Sequence, residues 1–152
     1  MTKLITEEGL KKIKEELENR KANERQRIAD AIKEAKEQGD LSENAEYSEA
    51  KRQQAENEAR IAELEFMLKE STVVSYDAKV TGVVQMGSKI KVKFNGSEME
   101  FQIVGSNEAS PGQMKISNES PMGKGFMGKK KNDEVIIDTP SGKMKYKILD
   151  IK

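Results

Sequence analysis

The segment GDLSENAEY, residues 39–47, separates two long helical patterns and decides how the first half of the chain folds. Before it, apolar residues recur every three or four positions, as they do on one face of a helix, at Leu10, Ile13, Leu17, Ile28, Ile32 and Ala35. A charged run from Glu18 to Arg27 interrupts this pattern. Thr6 is a typical N-cap and Gly39 a typical residue just beyond a helix end. The spacing therefore predicts a first helix between them.

A second helix follows the segment, with a seam spaced by threes and fours like the a and d positions of a coiled coil, at Tyr47, Ala50, Gln54, Asn57, Ile61, Leu64 and Leu68. If the chain folds back at the segment, Leu17 faces Ile61, and the seam becomes polar near its middle. This predicts an antiparallel two-helix coiled coil, projecting about 45 Å at ~1.5 Å per residue. A slender, charged rod has poor means of forming a substrate pocket, so its physical asset is reach.

Two carboxylates, Asp40 and Glu43, occupy the turn, and two interpretations of them are open. In the first, Asp40 caps the second helix and Glu43 completes a capping box, with no further function. In the second, the pair forms a partial site for Mg²⁺, which takes one or two carboxylates and completes its octahedron with water and phosphate oxygens. Such a half-site becomes useful beside a metal held by another molecule.

The composition excludes several classes of chemistry. Of the 152 residues, 35% are hydrophobic and 36% charged, which suits an elongated element with a small globule better than one compact core. The chain has no Cys and no His, so disulfides, thiolate metal sites and a histidine base are excluded. Neither a membrane-spanning run nor a signal-peptide pattern is present, and a cytoplasmic protein without membrane contact is expected.

The two halves of the chain differ enough to predict two domains, residues 1–75 and 76–152. The first carries 14 basic and 18 acidic residues and the second 13 and 9, and all three prolines lie in the second. From Lys79 onward the hydrophobic period is two, which predicts strands that include residues 80–85. Asn95-Gly96 predicts a hairpin turn, and a short helix is expected near Pro121. The expected fold is α+β: a coiled coil followed by an antiparallel β domain.

The longer stretch GDLSENAEYSEAKRQQ, residues 39–54, resembles the signature of the Gre family of transcript cleavage factors, most closely the GreA subgroup. The resemblance implies that the rod enters the secondary channel of bacterial RNA polymerase. There Asp40 and Glu43 would help the polymerase hold an Mg²⁺ ion and orient a water that cleaves the 3′ end of backtracked RNA. The chain itself would be no enzyme, but a monomeric elongation factor that lends carboxylates, associated with the nucleoid through the polymerase.

Further roles follow from the same resemblance. It implies support of the tip by four residues: Leu41, Ser42, Asn44 and Tyr47. It implies a basic patch that contacts the extruded RNA, formed by Lys36, Lys51 and Arg52. A solvated face of Lys and Glu pairs is the alternative explanation of these basic residues. Tyr47 also suits simple packing at the top of the coil.

The stretch SPMGKGFMGKKKNDEV, residues 120–135, resembles the C-terminal domain of the same family, which implies an FKBP-like fold that grips a coiled coil of the polymerase largest subunit. The implied docking residues are Ser120, Pro121, Lys124 and Gly128. The chain departs from the family pattern at three places: Gln26, Gly125-Phe126 and Asn132.

Two alternative functions remain. One is a Gre-like protein that enters the channel and inhibits polymerase; the other is a coiled-coil adaptor or chaperone unrelated to transcription, including a prolyl isomerase.

Overall fold

The computed structural model describes residues 2–41, 44–80 and 82–152, which form two compact units. The hairpin unit is Lys11–Glu70, and the globular unit combines the chain up to Leu10 with Ser71–Lys152. These units differ from the predicted division into 1–75 and 76–152, because two short strands, β1 (Lys3–Thr6) and β2 (Ser71–Val74), pair in parallel. Neither strand was predicted. Within the described ranges, no helix is long and apolar enough to cross a membrane.

The first arm of the hairpin is helical from α1 (Glu7–Asn19) through a π-helical turn (Arg20–Glu24) to α2 (Arg25–Glu37). The predicted N-cap is confirmed, because the Gly9 amide donates to Thr6 Oγ1 at 3.1 Å. The predicted end is also confirmed, since Gly39 has a φ of +126°, which glycine adopts without the strain of a Cβ. The π turn lies inside the charged run and was not predicted.

The second arm is a single helix, α3 (Ala45–Glu70), and it runs antiparallel to the first arm as predicted. Cross-arm partners show the direction: Glu16 bonds Arg60, whereas Arg25, further along the first arm, bonds Glu58. The seam buries apolar side chains from both arms, namely Ile13, Ile28, Ala35, Ala50, Ile61 and Leu64. Burial of this stripe, rather than helix propensity alone, stabilises the rod.

Ion pairs cover the outside of the hairpin and shift the pKa values of its carboxylates. Hydrogen bonds from Arg52, and then from Gln53, lower the pKa of Glu49 from its ordinary value of 4.5 to about 2. A hydrogen bond from Arg60 is the largest cause of a lowered pKa at Glu16. A carboxylate whose pKa is lower in the folded state stabilises that state above its unfolded pKa and loses this contribution as the pH falls.

We therefore expect the thermal midpoint of the hairpin to be constant from neutral pH down to about pH 5 and to fall by several degrees between pH 4.5 and about 2. Far-ultraviolet circular dichroism melts at a series of pH values would measure it. Added salt should reduce the effect, because these pairs are exposed. A midpoint that does not change across the acid range would contradict this expectation.

The globular unit is built on a five-stranded sheet with the order β5-β4-β3-β7-β6. Its strands are β3 (Lys89–Phe94), β4 (Ser97–Val104), β5 (Lys115–Ser117), β6 (Glu134–Thr139) and β7 (Gly142–Ile151). The pairings are antiparallel as predicted, except that β4 and β5 are parallel. The predicted hairpin turn is confirmed, since Asn95 and Gly96 both have positive φ, as a type I′ turn requires.

The core of the globular unit lies between the sheet and a short helix, α4 (Pro121–Phe126). Phe126 is fully buried and meets Tyr146 edge to face at 5.6 Å between ring centroids. Gly125 lets α4 approach β6, because a Cβ there would lie only 3.2 Å from Val135 and Ile137 side chains. Gly125 and Phe126 therefore form one unit of packing, a small residue beside a large one.

The departure at Asn132 also has a backbone explanation. Asn132 has a φ of +73°, a conformation that glycine adopts freely and asparagine tolerates better than other residues. Its amide donates to the Ile148 carbonyl at 2.8 Å, which holds the loop against β7. Asn therefore fulfils the backbone requirement at this position.

The strand predicted for residues 80–85 is wrong. Within the described part of this segment, only Val83 makes a β-bridge, to Lys130. Gly82 has a φ of +79°, which turns the chain out of an extended conformation. The Gln85 side chain then closes a loop, accepting from the Asp77 amide and donating to the Asp77 carbonyl. Alternating apolar residues were present, but the loop's polar contacts determine its conformation.

Candidate functional site

The turn between the arms presents a carboxylate and an apolar side chain to solvent. Asp40 is exposed and follows Gly39 directly, and Leu41 is 39% exposed. Ser42 and Glu43, the other two predicted tip residues, lie outside the described residues. The turn therefore places Asp40 at the far end of the first arm, where the rod ends.

The N-cap of α3 is Asn44, not Asp40 as one of the two interpretations of the turn had it, and Glu43, the other member of the proposed capping box, lies outside the described residues. Asn44 Oδ1 accepts from the Tyr47 amide at 3.0 Å, the bond that defines an N-cap. Asn44 Nδ2 also donates to the Ala35 carbonyl at 2.6 Å, near the end of the first arm. One side chain thus satisfies an amide in the first turn of one helix and adds a second donor to a carbonyl of the other, which also accepts from the Gln38 amide. Asp40 lies four residues too early to serve as this cap.

Replacing Asn44 with alanine should lower the free energy of unfolding of the hairpin by about 0.5–2 kcal/mol, since it removes the cap and the cross-turn bond. Thermal melts followed by circular dichroism would measure the loss. Ser48→Ala, on an exposed position of the same helix, is the matched control and should change little. Equal midpoints for Asn44→Ala and Ser48→Ala would show that the bonds of Asn44 contribute nothing.

Tyr47 is half-buried at the top of the seam, and its amide is the donor that Asn44 caps. Its position therefore fits packing, the simpler of the two predicted roles.

The three predicted basic residues are exposed but differ in their partners. Arg52 bonds both Glu49 and Glu56 on its own helix, and these contacts raise the pKa of its guanidinium, with Glu49 as the largest cause. Lys51 donates to Gln54 Oε1 at 2.8 Å. Lys36 is exposed in the last turn of α2. Contact of Arg52 with RNA would have to displace two carboxylates, whereas Lys36 and Lys51 need no such exchange.

The donor chemistry at the turn suits a hard cation, but only as part of a site. In the part of the chain that the structure describes, no group of three or more His, Cys, Asp or Glu residues is placed to hold a metal ion. Asp40 offers carboxylate oxygens, which Mg²⁺ prefers. The turn can therefore contribute to a metal site whose remaining ligands come from elsewhere.

A second candidate surface is an apolar groove in the globular unit, with a volume of about 450 Å³. Two of the four predicted docking residues, Ser120 and Pro121, line it from the start of α4. The opposite wall includes Ala109, Ile137 and Pro140, which sequence reasoning missed. Their spacing along the chain gives no sign that they share a groove, because β4, β5 and β6 bring them together only in the folded sheet.

The other two predicted docking residues do not line this groove. Lys124 is exposed on α4, and Gly128 donates its amide to the Val84 carbonyl at 3.0 Å with a φ of +78°. Ser120 also has a structural role, because Ser120 Oγ accepts from the Gly123 amide and donates to the Ser117 carbonyl. Gly123 fits here only without a Cβ, which would lie 1.9 Å from the Ser117 carbonyl oxygen.

Family models match both parts of the chain. Residues 3–73 match the model described as transcription elongation factor, N-terminal, and residues 77–152 match the model described as transcription elongation factor, GreA/GreB, C-terminal. Together the two matches cover nearly every residue.

Individual relatives match over the whole length. The chain is 51% identical over 152 residues to transcription elongation factor GreA of Clostridium acetobutylicum, covering 98% of this chain and 96% of the relative. It is 49% identical to transcription elongation factor GreA of Acetivibrio thermocellus, covering 98% and 95%. Among solved structures, the GreA factor homolog 1 of Thermus thermophilus is 29% identical, covering 100% of this chain and 99% of that one, with a TM-score of 0.43.

Proposed function

This chain belongs to the GreA/GreB family of transcription elongation factors, and we propose that its hairpin carries Asp40 and Glu43 into the secondary channel of RNA polymerase. As a Gre-type factor it binds RNA polymerase and stimulates cleavage of the transcript. We propose that it acts as a monomer in the cytoplasm, associated with the nucleoid through the polymerase.

At the tip, Asp40 and Glu43 supply carboxylate oxygens to an Mg²⁺ ion held jointly with the polymerase. The ion would lower the pKa of a bound water and stabilise charge on the cleaved phosphate. The carboxylates orient that water toward the backtracked 3′ segment of the RNA. The observation that supports this role is that Asp40 is exposed at the turn, between the end of the first arm and the start of α3.

Other residues of the turn hold the acids in position. Asn44 ties the two arms together through the Tyr47 amide and the Ala35 carbonyl. Leu41, 39% exposed, offers an apolar contact with the channel wall. Support of the tip by Ser42, which lies outside the described residues, stays a prediction. A rigid support of this kind is what placement of a catalytic group to within a fraction of an ångström requires.

Basic residues near the tip attract the extruded RNA. Lys36 and Lys51 are exposed, and Lys51 donates a hydrogen bond to the neutral amide of Gln54. Arg52 joins them once RNA phosphates displace Glu49 and Glu56. Contacts of this type with phosphate increase affinity without sequence preference.

The apolar groove of the globular unit docks on a coiled coil of the polymerase largest subunit. Ser120 and Pro121 form one wall, and the groove has room for one or two apolar side chains of a partner helix. Lys124 and Gly128 lie outside the groove lining and contribute at its margin, where the Lys124 charge favours an acidic partner. Docking here would set affinity, while the tip sets the chemistry.

The two alternative functions are not favoured. Whole-length relatives are named as GreA elongation factors, which argues against an adaptor or chaperone outside transcription. The Asp-Leu-x-Glu spacing of the turn is intact, which favours cleavage over inhibition.

A purified polymerase complex stalled in a backtracked state tests the proposal. Added protein and Mg²⁺ should yield shortened RNA that extends again when nucleotides are supplied. A uniform block of synthesis without shortened RNA would identify an inhibitor instead. If the protein neither shortened the RNA nor blocked its synthesis, both the cleavage function and the inhibitor function would be rejected.

A further inference from the structure

The two arms of the hairpin carry different spacings in the seam. On α3, Ala50, Asn57 and Leu64 follow one another at intervals of seven residues. On the first arm, the positions facing the seam are Ile13, Arg20, Ile28 and Ala35, at intervals of seven, eight and seven. The first arm therefore has one extra residue between Arg20 and Ile28. In a regular α-helix one extra residue rotates everything that follows by about 100°.

The π turn at Arg20–Glu24 absorbs this extra residue. The Arg25 amide donates to the Arg20 carbonyl five residues back, instead of four as in an α-helix. Ile28 and Ala35 are consequently both 2% exposed, in the same seam as Ile13. The half of the arm that leads to Asp40 is thus kept in phase with the half at the base.

Asn57 contacts the π turn from the opposite arm. It is 3% exposed, its Oδ1 accepts from Arg20 Nη1 at 3.0 Å, and its Nδ2 donates to the Arg20 carbonyl at 3.3 Å. That carbonyl is the one whose helical partner the π turn changes. Glu16 Oε1 lies 3.5 Å from Arg20 Nε and balances the charge of the guanidinium.

This polar layer distinguishes one alignment of the arms from others. Next to it lie apolar seam residues, Ile13 and Ile28 on one arm and Ile61 and Leu64 on the other, together with the half-buried Gln54. If the arms slipped by one heptad, Leu17 could still meet an apolar side chain, Leu68 in place of Ile61. Asn57 and Arg20, however, would face apolar side chains and lose their hydrogen bonds, which is costly for buried polar groups. A single polar seam residue fixes register in coiled coils in this way.

We propose that the Arg20–Asn57 pair, seated on the π turn, fixes the register and rotational phase of the tip-bearing half of the hairpin, so that both residues act as positioning residues for transcript cleavage. Arg20 precedes Asp40 by 20 residues, about 30 Å along a helix at ~1.5 Å per residue, so the pair acts on the tip only through the arms. The last step, from register to cleavage, rests on the proposed function. The first step, from the pair to the register, does not.

Asn57→Leu tests the pair, with Gln54→Leu as the matched control. Gln54 is a half-buried seam residue, and its side chain accepts a hydrogen bond from Lys51 of the same helix. Because the chain has no Cys, spin labels can be attached to Lys33→Cys and Ser48→Cys, exposed positions on opposite arms. Pulsed electron paramagnetic resonance then reports the distance between the arms without reference to polymerase.

We expect one narrow distance distribution in the parent and in Gln54→Leu. In Asn57→Leu we expect a broad distribution or a second, longer population, as a slip of one arm along the other by one heptad, about 10 Å, would produce, with helicity retained. Stimulated cleavage at saturating protein should fall at least tenfold in Asn57→Leu alone, with unchanged half-saturation. An unchanged distance distribution in Asn57→Leu would overturn the proposal. A changed distribution with full cleavage would overturn its link to catalysis, whereas absence of cleavage in the parent would reject the proposed function only.

Single-residue deletions test the phase directly. Deleting Ala22, an exposed residue of the π turn, restores an interval of seven and should leave the seam continuous, with a thermal midpoint no lower than the parent's. Deleting Ala29, also exposed, leaves the arm unable to keep both Ile28 and Ala35 in the seam and should lower the midpoint. Equal losses from the two deletions would show that the π turn does not compensate for the extra residue.

Discussion

Asp40→Asn is expected to lower the rate of stimulated transcript cleavage by about two orders of magnitude, the usual cost of removing one group that stabilises charge in a transition state. The change removes a negative charge but keeps the shape of the side chain. Affinity for polymerase should stay nearly the same, because docking belongs to the groove of the globular unit. Single-turnover cleavage of a backtracked complex over a range of protein concentrations separates the cleavage rate at saturation from the affinity for polymerase.

Glu43→Gln should behave in the same way, whereas Glu46→Gln is the matched control. Glu46 is an exposed acid in the first turn of α3, close to the turn but outside the proposed metal contacts. Raising the Mg²⁺ concentration should partly restore cleavage by Asp40→Asn, because a lost ligand weakens metal binding. If Glu46→Gln lost as much activity as Asp40→Asn, general negative charge would explain the effect better than a placed carboxylate.

Ala109→Trp is expected to weaken binding to polymerase at least tenfold, because the indole would fill the apolar groove that Ser120 and Pro121 line. Loss of an anchor pocket at the centre of an interface typically costs this much or more. Cleavage at saturating protein should be unchanged, since the tip is not altered. Titration of labelled protein against core polymerase measures the affinity. The cleavage assay measures the cleavage rate at saturating protein.

Asn107→Trp is the matched control for this prediction. Asn107 is exposed in the turn just before Ala109 and does not line the groove. The same bulky residue there should leave affinity unchanged. Equal binding by Ala109→Trp and the parent would place the docking surface elsewhere, for example around Lys124. We prefer Ala109 to Ser120 for this test because Ser120 caps α4, so its loss would also disturb the fold.

The hairpin could be predicted from sequence because its signals are local and strong. Thr6 and Gly39 mark the ends of the first arm, and the seam residues of the second arm recur at unbroken heptad intervals. The π turn was missed because it lies in a charged run, where few apolar residues report the helical phase. Its one sequence signal is the interval of eight residues from Arg20 to Ile28, which is visible only once Arg20 is accepted as a seam residue.

Both Asp and Asn are preferred at an N-cap, so the composition of the turn does not decide whether Asp40 or Asn44 caps α3. Asp40 precedes Glu43 by three positions, and Asn44 precedes Tyr47 by three. Only the position at which the chain leaves the turn decides between them, and the bond from Asn44 to the Ala35 carbonyl on the other arm contributes to it. No local pattern contains that long-range contact.

In the globular unit, too, contacts between residues distant in sequence could not be predicted. Its hairpins were predicted from alternation and from Asn95-Gly96, whereas the parallel pairings of β1 with β2 and of β4 with β5 depend on contacts distant in sequence. The groove was not predicted for that reason: Ser120 and Pro121 belong to a contiguous stretch, but Ala109 and Pro140 reach the groove through the sheet.

The most direct test of the account is the single-turnover rate of RNA cleavage in a purified backtracked complex with Mg²⁺ under three conditions. These are saturating parent protein, saturating Asp40→Asn/Glu43→Gln, and no added protein. The account predicts fast cleavage with the parent and equally slow cleavage in the other two, although the variant still occupies the polymerase. Equal rates in all three would contradict it.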